Sequence, residues 1–191
     1  MTDLDERSPL DRDAVIALAG DLIDRDGAEN FTLSKVAEAA DVTLPALYRH
    51  VDNVADLWRG LGLSTRRDLG EQLANSILGR SGLDAVEAVA FAWRDYAMAH
   101  PGRYRSTERH PVVGDQELTA AVDRVVDLLA ASLRGFELDD DERTDRALIL
   151  RSALHGFMVF QLDGGNPHPE QADLTFDRLV DVVTSGLTLR S

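Results

Sequence analysis

The sequence predicts an all-α fold, on three observations. Apolar residues recur at three- and four-residue spacing through most of the chain, the repeat of helices that bury one face. No segment alternates apolar and polar residues between tight-turn pairs, as a half-buried strand would. Ser, Thr, Asp or Asn stands just ahead of several periodic runs, and Gly or Pro just behind them, which is how helix ends are written.

In order, a first helix is expected from Ser8-Pro9, with Ser8 as cap, Pro9 at the first helical position and Asp11 three residues after the Ser. It carries Val15, Leu18 and Leu22 on one face, with Ile16, Ala19 and Ile23 beside them, and Asp26-Gly27 ends it. A short helix from Leu33 to Ala40 follows the cap Thr32. After the break Asp41-Val42-Thr43, a second short helix runs from Leu44 to about His50. Asn53, with Asp56 three residues on, opens a longer helix to about Ile77. Beyond Gly79-Arg80-Ser81-Gly82 a helix reaches His100 and is stopped by Pro101-Gly102. Arg103 to Pro111 is expected to hold one short helix, Asp115 to Phe136 a longer one, and Asp140 to Leu162 another. After the turn Gly164-Gly165-Asn166-Pro167, the last helix spans about Pro169 to Leu189.

Composition removes several classes of function. The chain has 191 residues, 44% of them hydrophobic and 28% charged, which is ordinary for a globular protein. With no cysteine there is no disulfide framework, thiol catalysis or Cys-bound metal. The longest stretch free of Asp, Glu, Lys and Arg, Ser152 to Leu162, is eleven residues, too short for the roughly 20 that span a bilayer. The acidic start, Met1-Thr-Asp-Leu-Asp-Glu-Arg, lacks the form of a secretory signal, so a cytoplasmic protein with no membrane partner is expected. No His-Glu-x-x-His, Glu-x-x-His, Gly-x-Ser-x-Gly or phosphate-cradling glycine loop occurs, so no enzyme, cofactor or metal is expected. The net charge of −14 argues against nucleic acid as a partner, since phosphate binding relies on clustered Lys and Arg.

Two short helices joined by a three-residue break, behind a longer helix, outline a helix-turn-helix. Val36, Ala37, Ala40, Val42, Leu47 and Val51 supply a small core between them. From spacing alone, a helical corner that touches no DNA remains open. The run Phe31-Thr-Leu-Ser-Lys-Val-Ala-Glu-Ala-Ala-Asp-Val-Thr-Leu-Pro-Ala-Leu-Tyr-Arg-His-Val-Asp-Asn53 closely resembles the DNA-binding segment of the tetracycline-repressor (TetR) family, with Leu47-Tyr48-Arg49-His50-Val51 as its most specific part. Two departures stand out: the turn glycine is Asp41, and a familiar lysine at the start of the fourth helix is Val54. Residues 1–60 hold thirteen acids and six bases, so binding has to lean on helix N-termini, Tyr, Thr and few cations.

The resemblance implies roles, residue by residue. Thr32 caps the second helix and can hydrogen-bond a phosphate. Tyr48 and His50 match backbone-touching positions, and Lys35 and Arg49 are the cations of the motif. Ser34, Thr43, Leu44, Pro45 and Ala46 would meet base edges. Further on, Ala97-Met-Ala-His-Pro-Gly-Arg-Tyr104 and Leu154-His155-Gly156 are similar to a TetR subgroup named for a Trp-His-Gly signature, with Arg151 standing where its Trp is expected.

The implied organisation is a DNA-binding domain over residues 1–60 and a ligand-binding and dimerisation domain over 61–191. Trp93, Tyr96, Tyr104, His155 and Met158 are the candidate ligand residues, read as a mostly apolar cavity for a hydrophobic small-molecule effector. Ser152, Gly156, Phe160, Phe176, Val180 and Val183 are the candidate dimer interface. A homodimeric repressor on a palindromic double-stranded DNA operator, released by effector, is the expected function. A helical ligand-binding or adaptor dimer that keeps the fold without specific DNA binding is the alternative.

Overall fold

The computed structural model describes residues 10–188, and every regular element among them is helical. Nine α-helices follow one another: α1 Arg12–Asp26, α2 Leu33–Ala39, α3 Leu44–Leu47, α4 Val54–Ser76, α5 Gly82–Ala99, α6 Pro101–Ser106, α7 Gln116–Ser132, α8 Asp140–Leu162 and α9 Ala172–Thr188. The expected start at Ser8-Pro9 lies outside the described residues. The cap of α1 is Asp11 instead, whose side chain accepts from the Ala14 N–H at 2.8 Å. Asn53 caps α4 by accepting from Asp56 N–H at 2.9 Å, and Asp139 and Glu142 form a reciprocal capping box at α8.

Three boundaries differ from the sequence reading. The second short helix closes at Leu47, and Tyr48 to His50 continue only as turns. Pro101 ends α5 but also begins α6, because a proline at a first helical position gives up an N–H that has no intrahelical partner anyway. The expected single helix over 103–111 is therefore α6 plus a 3₁₀ turn, Thr107–Arg109. At the C-terminal end a 3₁₀ turn, Pro169–Gln171, precedes α9.

Two cores organise the chain. The first gathers Val15, Ala19 and Ile23 of α1, Val36 of α2, Leu47 of α3, Val51, and Leu57 and Leu61 of α4. The second gathers Leu69 and Leu73 of α4 with Val86, Val89 and Trp93 of α5, Tyr104 of α6, Leu129 of α7, Leu150, Leu154 and Met158 of α8, and Phe176 of α9. Each fully buried Val, Leu, Ile, Met or Phe among them contributes about 1.5–3 kcal/mol. Helix α4 belongs to both cores and packs against α1 at one end and against α5 and α7 at the other. At the α1 crossing Gly60 lets the helices approach closely: a Cβ there would lie 2.5 Å from Ile16 Cδ1, and that side chain would have to shift.

Candidate nucleic-acid interface and ligand cavity

The turn between α2 and α3 is built by Asp41. Its φ of 55° is left-handed; its N–H donates to Glu38 O at 3.1 Å, and Val42 N–H donates to Ala37 O at 2.9 Å. This double closure is a Schellman ending, and Asp occupies the position that most often takes glycine because a short polar side chain tolerates left-handed backbone. Val42, half-buried, and Leu47 and Val51, fully buried, then fix α3 against α2 and α1.

This arrangement turns Thr32, Ser34, Lys35, Thr43, Pro45, Tyr48 and Arg49 outward, while Ala46 and His50 are half-buried. Thr32 accepts from Lys35 N–H at 3.3 Å and so caps α2. Thr43 precedes α3 without making a side-chain cap bond, which leaves its hydroxyl free. Lys35 Nζ donates to the Asn30 carbonyl at 2.8 Å, so this cation is turned back toward its own chain. Leu44 departs from expectation: it packs on the first core and is only half-exposed, so it supports α3 as well as facing outward.

Sequence reasoning missed Arg12. Its Nη1 donates to the His50 carbonyl at 2.9 Å, and both Nη atoms reach the Asp56 carboxylate at 2.7 Å. One side chain of α1 thereby ties the end of the recognition unit to the start of α4. The Arg12 hydrogen bond holds the Asp56 carboxyl below its ordinary range. The signal was faint in the sequence, because an Arg in a first helical turn is usually a solvated charge.

Between α4, α5, α6, α7 and α8 lies a cavity lined by Thr65, Arg66, Leu69, Trp93, Tyr104, Thr107, Glu108, Val122, Val125, Arg151 and His155. Of the predicted ligand residues it brings together Trp93, Tyr104 and His155. Tyr96 and Met158 are corrected: both are buried in the second core and do not line the cavity. The lining also differs from the mostly apolar one expected, because helical periodicity marks which residues face inward but not which polar ones meet there. The space for water-sized centres is about 30 Å³, enough for one or two water molecules.

A chain of hydrogen bonds crosses this site. Trp93 Nε1, which can only donate, is 2.8 Å from Tyr104 Oη. Tyr104 Oη is also hydrogen-bonded to His155 Nδ1, 2.8 Å away. His155 Nε2 faces Glu108 Oε1 at 3.1 Å. This hydrogen bond draws the Glu108 carboxyl below its ordinary range, while burial pushes the Tyr104 phenol up. Arg66 is only 8% exposed. Its guanidinium donates to the carbonyls of Gly62 at 2.9 Å and Thr107 at 3.1 Å and meets no carboxylate directly. Burial lowers its pKa, yet an arginine keeps its charge.

On α8, Ser152, Gly156 and Phe160 share an exposed stripe with Ile149. The α9 part of the predicted interface is corrected. Phe176 and Val180 are 0% and 5% exposed, turned into their own subunit's core, and Val183 is half-buried. The apolar residues that α9 turns outward are Leu174 and Val182. The 3.6-residue period of this helix marks its apolar face, but not whether the subunit's own core or a partner covers it.

Among the described residues, no helix is long and apolar enough to cross a membrane. Residues 86–183 match the family model described as tetracyclin repressor-like, C-terminal domain. An HTH-type transcriptional regulator of Mycobacterium tuberculosis is 35% identical over 183 residues, covering 95% of this chain and 84% of that protein. A TetR variant from Acinetobacter baumannii in complex with minocycline superposes with a TM-score of 0.69 at 20% identity, over 93% of this chain and 96% of that one. BioQ with its double-stranded DNA operator gives a TM-score of 0.63 at 20% identity, over 93% and 99%.

Proposed function

The chain belongs to the tetracycline repressor-like family of helix-turn-helix transcriptional regulators, which are not enzymes, and on that premise we propose a homodimeric repressor that a small-molecule effector releases from a palindromic operator. In this reading residues 1–60 carry the DNA contacts and residues 61–191 the effector site and dimer face. Thr32, Thr43, Pro45, Tyr48 and Arg49 meet the duplex; Trp93, Tyr104 and His155 meet the effector. The stripe Ile149, Ser152, Gly156 and Phe160 of α8, with Leu174 and Val182 of α9, packs on its copy about a two-fold axis.

One observation carries the coupling. On α6, adjacent residues face the two functions: Tyr104 lines the cavity, and Arg103 grips Asp24 of α1 through its backbone N–H and its Nε. An effector that moves Tyr104 therefore pulls on the helix that seats the helix-turn-helix. Helix α4 makes the same link, with Thr65, Arg66 and Leu69 at the cavity and Asp56 bound to Arg12. Effector and operator then oppose each other reciprocally, by one coupling free energy. The cavity as it stands is too small for a drug-sized molecule, so binding requires the walls to part, which is what such coupling needs.

The test is selection of binding duplexes from a random pool, followed by mobility-shift measurements. An inverted repeat with half-sites about one helical turn apart is expected. Recovery of no sequence above background would leave the non-DNA-binding adaptor as the better account. The relatives with minocycline and with an operator support the reading by analogy of fold.

A further inference from the structure

Resting on the effector reading above, we infer that the ligand of the cavity is an amphipathic organic acid, its apolar body against Trp93, Tyr104 and Leu69 and its carboxylate between Arg66 and Arg151. The first support is charge. The lining holds two guanidiniums, Arg66 and Arg151, against one carboxylate, Glu108, and Glu108 is already engaged by His155. The site therefore carries at least one net positive charge. In a chain of net charge −14 that is a local reversal.

The second support is unmet bonding. Arg66 is more than nine-tenths buried without a carboxylate partner, and Arg151 makes no hydrogen bond or ion pair among the described residues. A buried charge left without a counter-ion is costly. An anion placed between the two removes that cost, and their planar N–H groups match a carboxylate. Thr65, 1% exposed, also lines the cavity.

The third support is access. Arg66 also lines a surface cleft between α1, α4 and α7, together with Arg124 and with Arg12, Arg59 and Arg67, which are paired to Asp56, Asp115 and Asp68. Arg66 is the wall between that cleft and the cavity, so a ligand entering from the cleft has one guanidinium to displace. A polyanion does not suit the interior, because only two guanidiniums face it, beside the carboxylate of Glu108, and Leu69, Trp93, Val122 and Val125 line much of the rest.

The experiment uses the full chain carrying Trp58→Phe, which leaves Trp93 as the reporter. Alkyl and aryl monocarboxylates are titrated beside their primary amides, which match them in shape but carry no charge, and beside inorganic phosphate. At least one acid should change Trp93 fluorescence saturably and bind tenfold or more tighter than its amide. Arg151→Met and Arg66→Met should each erase most of that difference, whereas Arg80→Met on the far surface should not. Circular dichroism checks that Arg66→Met folds, and Arg151→Met keeps the test intact if it does not. The inference is overturned if no acid outbinds its amide, if phosphate alone binds as well, or if Arg151→Met leaves the preference unchanged. Addition of a binding acid to an operator complex separates the two readings. Binding without operator release would sink the effector role and leave the acid site standing.

Discussion

Arg103 and Asp24, 79 residues apart, are joined twice: the Arg103 backbone N–H donates to one carboxylate oxygen at 2.8 Å and Nε to the other at 2.6 Å. Both side chains are 14% exposed. Beside them Gly102 lies so close to α1 that a Cβ would be 2.3 Å from the Ile23 carbonyl oxygen. Asp24→Ala should cost about 2 kcal/mol, because Arg103 keeps only the outer Asp21 as counter-charge. Thermal unfolding checks the stability. If this contact transmits the effector signal, the variant should also bind operator while losing most of its response to ligand. A fully responsive Asp24→Ala protein would place the coupling in α4 alone.

The recognition unit can be dissected by two substitutions. Tyr48→Phe should weaken operator and unrelated duplexes alike, by about 1 kcal/mol, since a backbone hydrogen bond carries no sequence information. Thr43→Val should reduce preference at one symmetric base pair per half-site and spare unrelated DNA. Anisotropy titrations on both duplexes distinguish these outcomes. Leu44→Ala is a poor test of readout, because part of its effect would come from the core against which Leu44 packs.

Asp41 combines a left-handed backbone with a negative charge in the turn before the recognition helix. Asp41→Asn keeps a side chain that tolerates this conformation and removes the charge. Stability should change by less than about 0.5 kcal/mol, while DNA affinity rises severalfold at low salt and the gain fades at high salt. An equal gain at all salt concentrations would point to a change in shape rather than charge.

Gly156 offers a clean test of assembly, because nothing in its own subunit lies within 4 Å of where a Cβ would stand. Gly156→Leu should therefore leave the protomer folded and act only on a partner helix. Sedimentation should shift from about twice 21.0 kDa toward the monomer. Phe176→Ala is the contrasting variant: with Phe176 fully buried, it should cost about 3–5 kcal/mol through a core cavity.

Acid should loosen the contact between α4 and α7. The hydrogen bond from Arg59, whose Nε is 2.5 Å from Asp115 Oδ2, holds the Asp115 carboxyl at about 2. The folded value lies below the ordinary 3.8, so the stabilisation is complete above that range and is lost as pH falls toward 2. The gap in melting temperature between wild type and Asp115→Asn should be constant from pH 6 to 8 and close as pH falls toward about 2. Asparagine keeps the cap of α7, which isolates the ion pair.

The sequence alone determined the helices and the recognition unit. Capping pairs such as Asn53 with Asp56, and breaks such as Asp41 to Thr43, act over a few residues, so they are written where they operate. The limits Asp140 and Leu162 of α8 were legible for that reason, as was the outward set around Tyr48. Tertiary structure decided what depends on distant partners. The apolar face of α9 is legible in its period, but the packing of α5 and α8 decided that Phe176 and Val180 fill their own subunit's core rather than meet a partner. The cavity was settled by four residues far apart in the chain, Arg66, Glu108, Arg151 and His155, whose convergence no periodicity records. A charge is ordinary on a solvated helix face, and it becomes a site only when the fold removes its water and withholds its counter-ion.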